Sequence, residues 1–184
     1  MTSQTALPVR RGVVRPPAAN QDYFLRQGIL KLLAIKDSDV RILGRGHIVR
    51  ETADDVAVIV SSGRGVHEAL AAAAECAANG LQVGVVDMPS IDEHLLMELC
   101  ESGKIVCLAE QNNGFILQNL LKVQYRRAPA SGGAGNVLSI NTLDTDGRPQ
   151  FIHSGTYEEL IRAFGLAPAQ IAAAIAKRVG SRQP

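Results

Sequence analysis

The hydrophobic pattern is densest over residues 55–87, DVAVIVSSGRGVHEALAAAAECAANGLQVGVVD, and its period changes twice. Val56 to Val60 is an unbroken apolar run, as a strand covered on both faces requires. Val66, Ala69, Leu70, Ala73, Cys76 and Ala77 then recur at helical spacing along one stripe. Asn79-Gly80 stops that helix, and Leu81 to Val86 is a second apolar run closing on Asp87. Strand, glycine turn, helix and strand make one βαβ unit, the building block of a parallel sheet.

The flanking pattern extends this unit. Residues 1–20 carry Pro8, Pro16 and Pro17 among scattered arginines and read as an extended arm. Phe24, Leu25, Ile29, Leu32 and Leu33 fall close to helical spacing, which predicts a short helix over 21–35. Residues 40–50 interleave polar and apolar positions with glycines, predicting an irregular edge strand with a bulge at Gly44 or Gly46. Ser90-Ile-Asp-Glu93 has the form of a capping box, so a helix is expected from about Ile91, with Leu95, Leu96, Leu99 and Cys100 inward and Gly103 as its stop. Lys104 to Ala109 is a third buried strand, followed by a polar turn through Glu110 to Gly114. Phe115, Ile116, Leu120, Leu121 and Val123 continue as a helix, and residues 129–135 form a glycine-rich loop. Val137 to Ile140 is a fourth parallel strand. Thr156 to Glu159 is a second capping box, opening a helix with Leu160, Ile161 and Phe164 inward and Gly165 at its end. Pro168 suits a first helical position, and Ile171, Ile175 and Val179 give the stripe of a last helix. Alternating strands and helices imply an α/β fold, a three-layer α/β/α sandwich. The arm and short helix occupy 1–35, the domain 36–180, and 181–184 reads as a disordered tail.

Composition narrows the function. At 184 residues and 46% apolar, the chain supports one domain with a real core. A net charge of +1 and 4% aromatics argue against nucleic acid, which draws on a basic field and stacking platforms. Arg10, Arg11 and Arg15 make only a small patch on the arm. Cys76, Cys100 and Cys107 show no C-x-x-C spacing and read as small buried hydrophobes in a reducing compartment. No apolar run reaching a membrane span is apparent, and no signal-peptide pattern opens the chain, so a cytoplasmic location is expected.

Two places could carry chemistry. Ser61, Ser62, Gly63, Arg64 and Gly65 combine hydroxyls, a guanidinium and backbone N–H groups at a helix start, which can hold an anion. A dinucleotide fingerprint needs a third glycine where Glu68 stands, and the turn lacks the Gly-Lys-Ser/Thr of a P-loop. The other reading of this turn is a tight strand-to-helix connection. Asp87 and Glu110 each end a parallel strand. They suit a ribose acid, a general base or a metal ligand, or else simply cap turns and helices. His47, His67, His94 and His153 are scattered without a metal-ligand pair, and no G-x-S-x-G elbow occurs.

The segments GRGHIVRETADDVAVIVSSGRGVHEALAAA, GLQVGVVDMPSID, KIVCLAEQNNGF and FIHSGTYEELIRAFGLAPAQIAAAI, in this order, resemble the C-terminal domain of the transketolase family of thiamine-diphosphate enzymes. The resemblance runs from about residue 40 to 179. It implies a five-stranded mixed sheet between helices, with one antiparallel edge strand at about 41–50. It also implies that the cofactor is held elsewhere. In such enzymes another domain binds the diphosphate and a divalent metal, Mg, through Gly-Asp-Gly, which occurs nowhere here. LPVRRGVVRPP resembles the end of a preceding domain running into its linker.

The resulting expectation is a non-catalytic C-terminal domain or subunit, inactive alone and binding no cofactor itself. It would assemble with the catalytic domains of its parent enzyme and with its own copy as a homodimer. The parent reaction would be two-carbon ketol transfer between sugar phosphates. One alternative is the equivalent domain of a 2-oxoacid dehydrogenase beta subunit, contacting an acyltransferase core. Another is a free-standing anion- or nucleotide-binding regulatory domain using Ser61 to Gly65.

Overall fold

The computed structural model describes residues 45–127 and 136–182. The arm, the helix expected over 21–35 and the loop at 129–135 lie outside the described residues. Five strands, β1 (His47–Arg50), β2 (Ala57–Ser61), β3 (Val83–Asp87), β4 (Ile105–Ala109) and β5 (Val137–Ile140), form one sheet in the order β1-β3-β2-β4-β5. Only β1 runs antiparallel, against β3, and the other pairs are parallel. The helices are α1 (Gly65–Ala78), α2 (Glu93–Glu101), α3 (Phe115–Arg127), α4 (Tyr157–Ala163) and α5 (Pro168–Gly180).

Alternation along the strands divides the core in two. Ala57, Ile59, Val83, Val85, Ile105 and Cys107 face α1 and α5. Val58, Val60, Val86, Val106 and Leu108 face α2 and α3. The central strands are therefore apolar on both faces, and the three-layer sandwich follows.

The bulge in β1 lies between Ile48 and Arg50 and not at Gly46, while Gly44 lies outside the described residues. The slip lets Arg50 turn onto β3, where its Nε donates to Val83 O at 3.1 Å and its Nη2 to Gln82 Oε1 at 3.3 Å. Gly46 instead answers a packing need, since a Cβ there would meet Leu95 Cδ2 at 2.6 Å.

The start of α2 also differs from expectation. Asp92, not Ser90, is the N-cap: its carboxylate accepts from Leu95 N at 3.0 Å and from Gly46 N at 3.1 Å. A buried carboxylate that joins the helix start to the strand lead-in outcompetes the local Ser90-to-Glu93 pattern. The Thr156 box forms as expected, with Thr156 N donating to Glu159 Oε2 at 2.8 Å and Glu159 N to Thr156 Oγ1 at 3.3 Å. In α3 the buried side is Ile116, Leu120 and Val123, while Phe115 and Leu121 face water.

Tyr157–Gly180 is long and apolar enough, by composition alone, to cross a membrane, with mean hydropathy 1.3. Gly165, at φ 73°, breaks it into α4 and α5, and Ile171 and Ile175 are buried against the sheet. Beyond α5, Arg182 Nη1 donates to Gly103 O at 3.1 Å. Cys76 and Cys107 are buried and Cys100 half-buried. Burial pushes the Cys107 thiol up to about 12 and the Cys100 thiol up to about 11.

Candidate functional site at the carboxyl rim

In an open parallel sheet, ligands bind where neighbouring strands send their following helices to opposite faces. Here that point lies between β2 and β4, because α1 covers one face and α3 the other. The chain fills this crevice with its own groups. Ser61, buried at the end of β2, donates from Oγ to Ala109 O across the gap at 2.7 Å. A Cβ on Gly65 would meet Ser61 Oγ at 2.5 Å, so glycine is required there by this close approach. Gly63, at φ 57°, supplies the left-handed residue that the turn needs.

The N–H groups of Gly65, Val66 and His67 donate back to the carbonyls of Ser62, Gly63 and Arg64, at 3.1, 3.3 and 2.9 Å. The Ser61 hydroxyl and three of the N–H groups an anion would draw on are thus engaged within the protein. Arg64 also has a partner: its guanidinium lies 3.7 Å from the centre of the Tyr157 ring. Gln111 Nε2 donates to the Tyr157 hydroxyl at 2.5 Å. Burial, then the Glu68 carboxylate, push the Tyr157 phenol up. Glu68, which breaks the dinucleotide fingerprint, thus lies close enough to Tyr157 for its charge to act on the phenol. Tyr157 and Gln111 complete a roof over the crevice. The one sequence signal for Tyr157 is its position directly after the Thr156 cap, in a chain with few aromatics.

The two rim carboxylates do not come together. β3 and β4 flank β2 on opposite sides, which separates Asp87 from Glu110 by two strand spacings, roughly 9–10 Å. Asp87 is buried at the end of β3, in register with His47 and Ser61. Glu110, only 2% exposed, caps α3. Its Oε2 accepts from Ile116 N at 2.6 Å and its Oε1 from Leu117 N at 3.1 Å, beside Asn112 Oδ1, which accepts from Phe115 N at 3.0 Å. Burial pushes this carboxyl up, against the lowering effect of the two N–H donors. Among the described residues, no group of three or more His, Cys, Asp or Glu is placed to hold a metal ion.

The same rim carries exposed apolar side chains. Phe151 is 89% exposed, Phe115 56% and Ile152 43%. Phe151 to Gly155 lies in no helix or strand, and among the described residues it makes no backbone–backbone hydrogen bond. It follows a hairpin in which Leu143 bridges Pro149, and Leu143 packs beside Gly114, next to Phe115.

A family profile described as "Transketolase, C-terminal domain" matches residues 44–116. Among solved structures, the chain is similar to a split-gene transketolase described as an inactive beta4 tetramer, with TM-score 0.62 and 26% identity, covering 79% of this chain and 46% of that one. It shares its fold with a transketolase from Leishmania mexicana, with TM-score 0.52 and 19% identity over 76% of this chain and 18% of that one. The Pichia stipitis transketolase in complex with sedoheptulose 7-phosphate matches similarly, with TM-score 0.52 and 19% identity over 74% and 18% of the two chains. The chain thus spans about half the length of the split-gene protein and under a fifth of the other two. No curated protein matches the sequence.

Proposed function

We propose that this chain, whose residues 44–116 match a profile of the transketolase C-terminal domain, is the non-catalytic C-terminal domain or subunit of a transketolase-like thiamine-diphosphate enzyme of the cytoplasm. Its part is assembly, with the catalytic domains and with its own copy. The complete enzyme would transfer a two-carbon ketol unit between sugar phosphates.

The observation that carries this reading is the contrast along one rim. The crevice where such sheets take ligands is closed by Ser61, Gln111 and Tyr157, while Phe115, Phe151 and Ile152 are left in water beside it. Exposed aromatic residues beside a segment in no helix or strand suit a protein partner better than a small molecule. The split-gene transketolase, described as an inactive tetramer, supports a chain that associates and is inactive by itself.

The rim carboxylates do not suit thiamine diphosphate and its metal. Glu110 is committed to the start of α3, and Gly-Asp-Gly is absent from the sequence. When bound in the complete enzyme, the cofactor would supply the stabilised carbanion that carries the ketol unit.

The test is reconstitution with the catalytic partner. Ketol transfer is expected in the mixture and not in this chain alone, and Phe151→Asp should weaken assembly roughly tenfold, as loss of one exposed aromatic anchor does. A catalytic partner that is folded and fully active without this chain would overturn the assembly role. Binding to an acyltransferase core instead would point to a 2-oxoacid dehydrogenase beta subunit.

A further inference from the structure

One buried ionisable group stands directly behind the exposed apolar rim. The Glu110 carboxylate spends one oxygen on Ile116 N and the other on Leu117 N, and the residue just before these two is the exposed Phe115. The turn that joins them, Gln111 to Gly114, is tied to the rest of the rim. Asn112 Oδ1 accepts from Phe115 N at 3.0 Å, and Thr142 N donates to Asn112 O at 3.2 Å. Thr142 Oγ1 is bonded to Asn113 Oδ1 at 2.8 Å, and Thr142 leads into the hairpin that ends at Phe151. We infer that Glu110 is a proton-operated clamp on this rim: ionised, it holds Phe115 in position for docking, and protonated, it releases one of its two N–H groups and lets Phe115 shift. This rests on the reading of the rim as an assembly surface.

The chemistry of the clamp follows from its two bonds. A carboxylate offers two charged acceptor oxygens, one for each N–H. Protonation makes one of them a hydroxyl, so one N–H loses its charge-assisted acceptor. Burial favours that neutral form and moves the titration above the ordinary 4.5. A group whose proton affinity is raised by folding does not weaken the fold when it binds the proton, so the change stays local to the clamp.

The surroundings leave the titration to burial and to these two donors. β2, β5 and the turn from Gln111 to Gly114 carry no charged side chain, and β4 carries only the neutral Cys107 thiol. On α3, Lys122 and Arg126 lie beyond the first turn, and Arg126 is paired with Glu93 at 2.6 Å. On α2, His94, Glu98 and Glu101 are exposed, and the buried Asp92 is bonded to Leu95 N and Gly46 N. Arg64 lies over Tyr157, where Glu68 also acts, and Glu158 and Glu159 of α4 are exposed. Asp87 is two strands away.

Nuclear magnetic resonance on the full chain tests this. The Ile116 and Leu117 amide signals should titrate with one midpoint above 4.5, and the Phe115 ring signals should move with the same midpoint. Solvent exchange of amides 115–118, corrected for its intrinsic pH dependence, should rise about tenfold on protonation, as loss of one charge-assisted bond implies, with β2 and β4 unchanged. Glu110→Gln cannot ionise and should show the acid-form signals at every pH. Affinity for the catalytic partner should fall about threefold through the wild-type midpoint, as when the docking-competent fraction drops to a third, and stay low and flat in Glu110→Gln. A Phe115 ring that stays still while the two amides titrate would overturn the proposal, and so would equal partner affinity in both proteins at every pH. If ring and amides titrate together but the partner binds at no pH, the clamp stands and the assembly reading fails.

Discussion

Glu110→Ala is expected to lower the unfolding free energy by about 3 kcal/mol, read from urea denaturation at neutral pH. Hydrogen bonds to a charged acceptor contribute about 1.5–3 kcal/mol each, though not additively. Here two of them, from Ile116 and Leu117, are removed together and the helix start stays buried. Glu110→Gln keeps one acceptor oxygen and should cost about 1–2 kcal/mol. The two variants also separate charge from shape. Burial raises the Glu110 carboxyl above its ordinary 4.5, so between 4.5 and the raised value the folded chain holds a proton that the unfolded chain has released. The wild-type protein should therefore lose stability relative to Glu110→Gln as pH rises from 4.5 through that window, and regain it on acidification. A stability difference between the two that is flat with pH would show that the carboxyl titrates alike in both states.

Asp92→Ala is expected to cost a similar amount, about 3 kcal/mol. About 1 kcal/mol is the loss of a helix N-cap. The rest comes from the Gly46 N–H, which is buried and would lose its acceptor, a penalty of about 1–3 kcal/mol. Asp92→Asn retains one acceptor and should recover at least half. Amide exchange resolves the two parts: Gly46 and β1 should open in Asp92→Ala along with the first turn of α2. If only the helix turn responds, Asp92 is a local cap and does not tie β1 to the fold.

These two carboxylates mark where sequence reasoning succeeds and where it stops. The β2–α1–β3 unit is legible because its signals are local: an apolar run, a stripe at helical spacing, and glycines at the turns. The antiparallel edge came with the family resemblance, whereas the order of the strands is visible only in the structure, since periodicity alone gives strands and not their neighbours. Glu110 as a helix cap was among the readings because strand-end acids commonly do this. Asp92 was missed because its second partner, Gly46, lies 46 positions away, and the nearer Ser90 offered a better local match. The same distance problem hid the filling of the crevice. Nothing in the stretch around Ser61 announces that its hydroxyl will reach Ala109 O, nor that Arg64 will lie over Tyr157. The Ser61 to Gly65 turn looks like a ligand loop in isolation because a ligand loop and a tight packed turn need the same glycines.

The packing of α5 against α1 sets the order of events during synthesis. Ala69, Ala72 and Ala73 are small, and their face of the sheet is completed by Ile171 and Ile175, roughly a hundred residues later. Until those isoleucines leave the ribosome, the nascent chain presents a half-covered apolar sheet to the cell. Such a surface is one that holding chaperones recognise. Chain termination before Ile171 would therefore leave that face of the sheet partly uncovered.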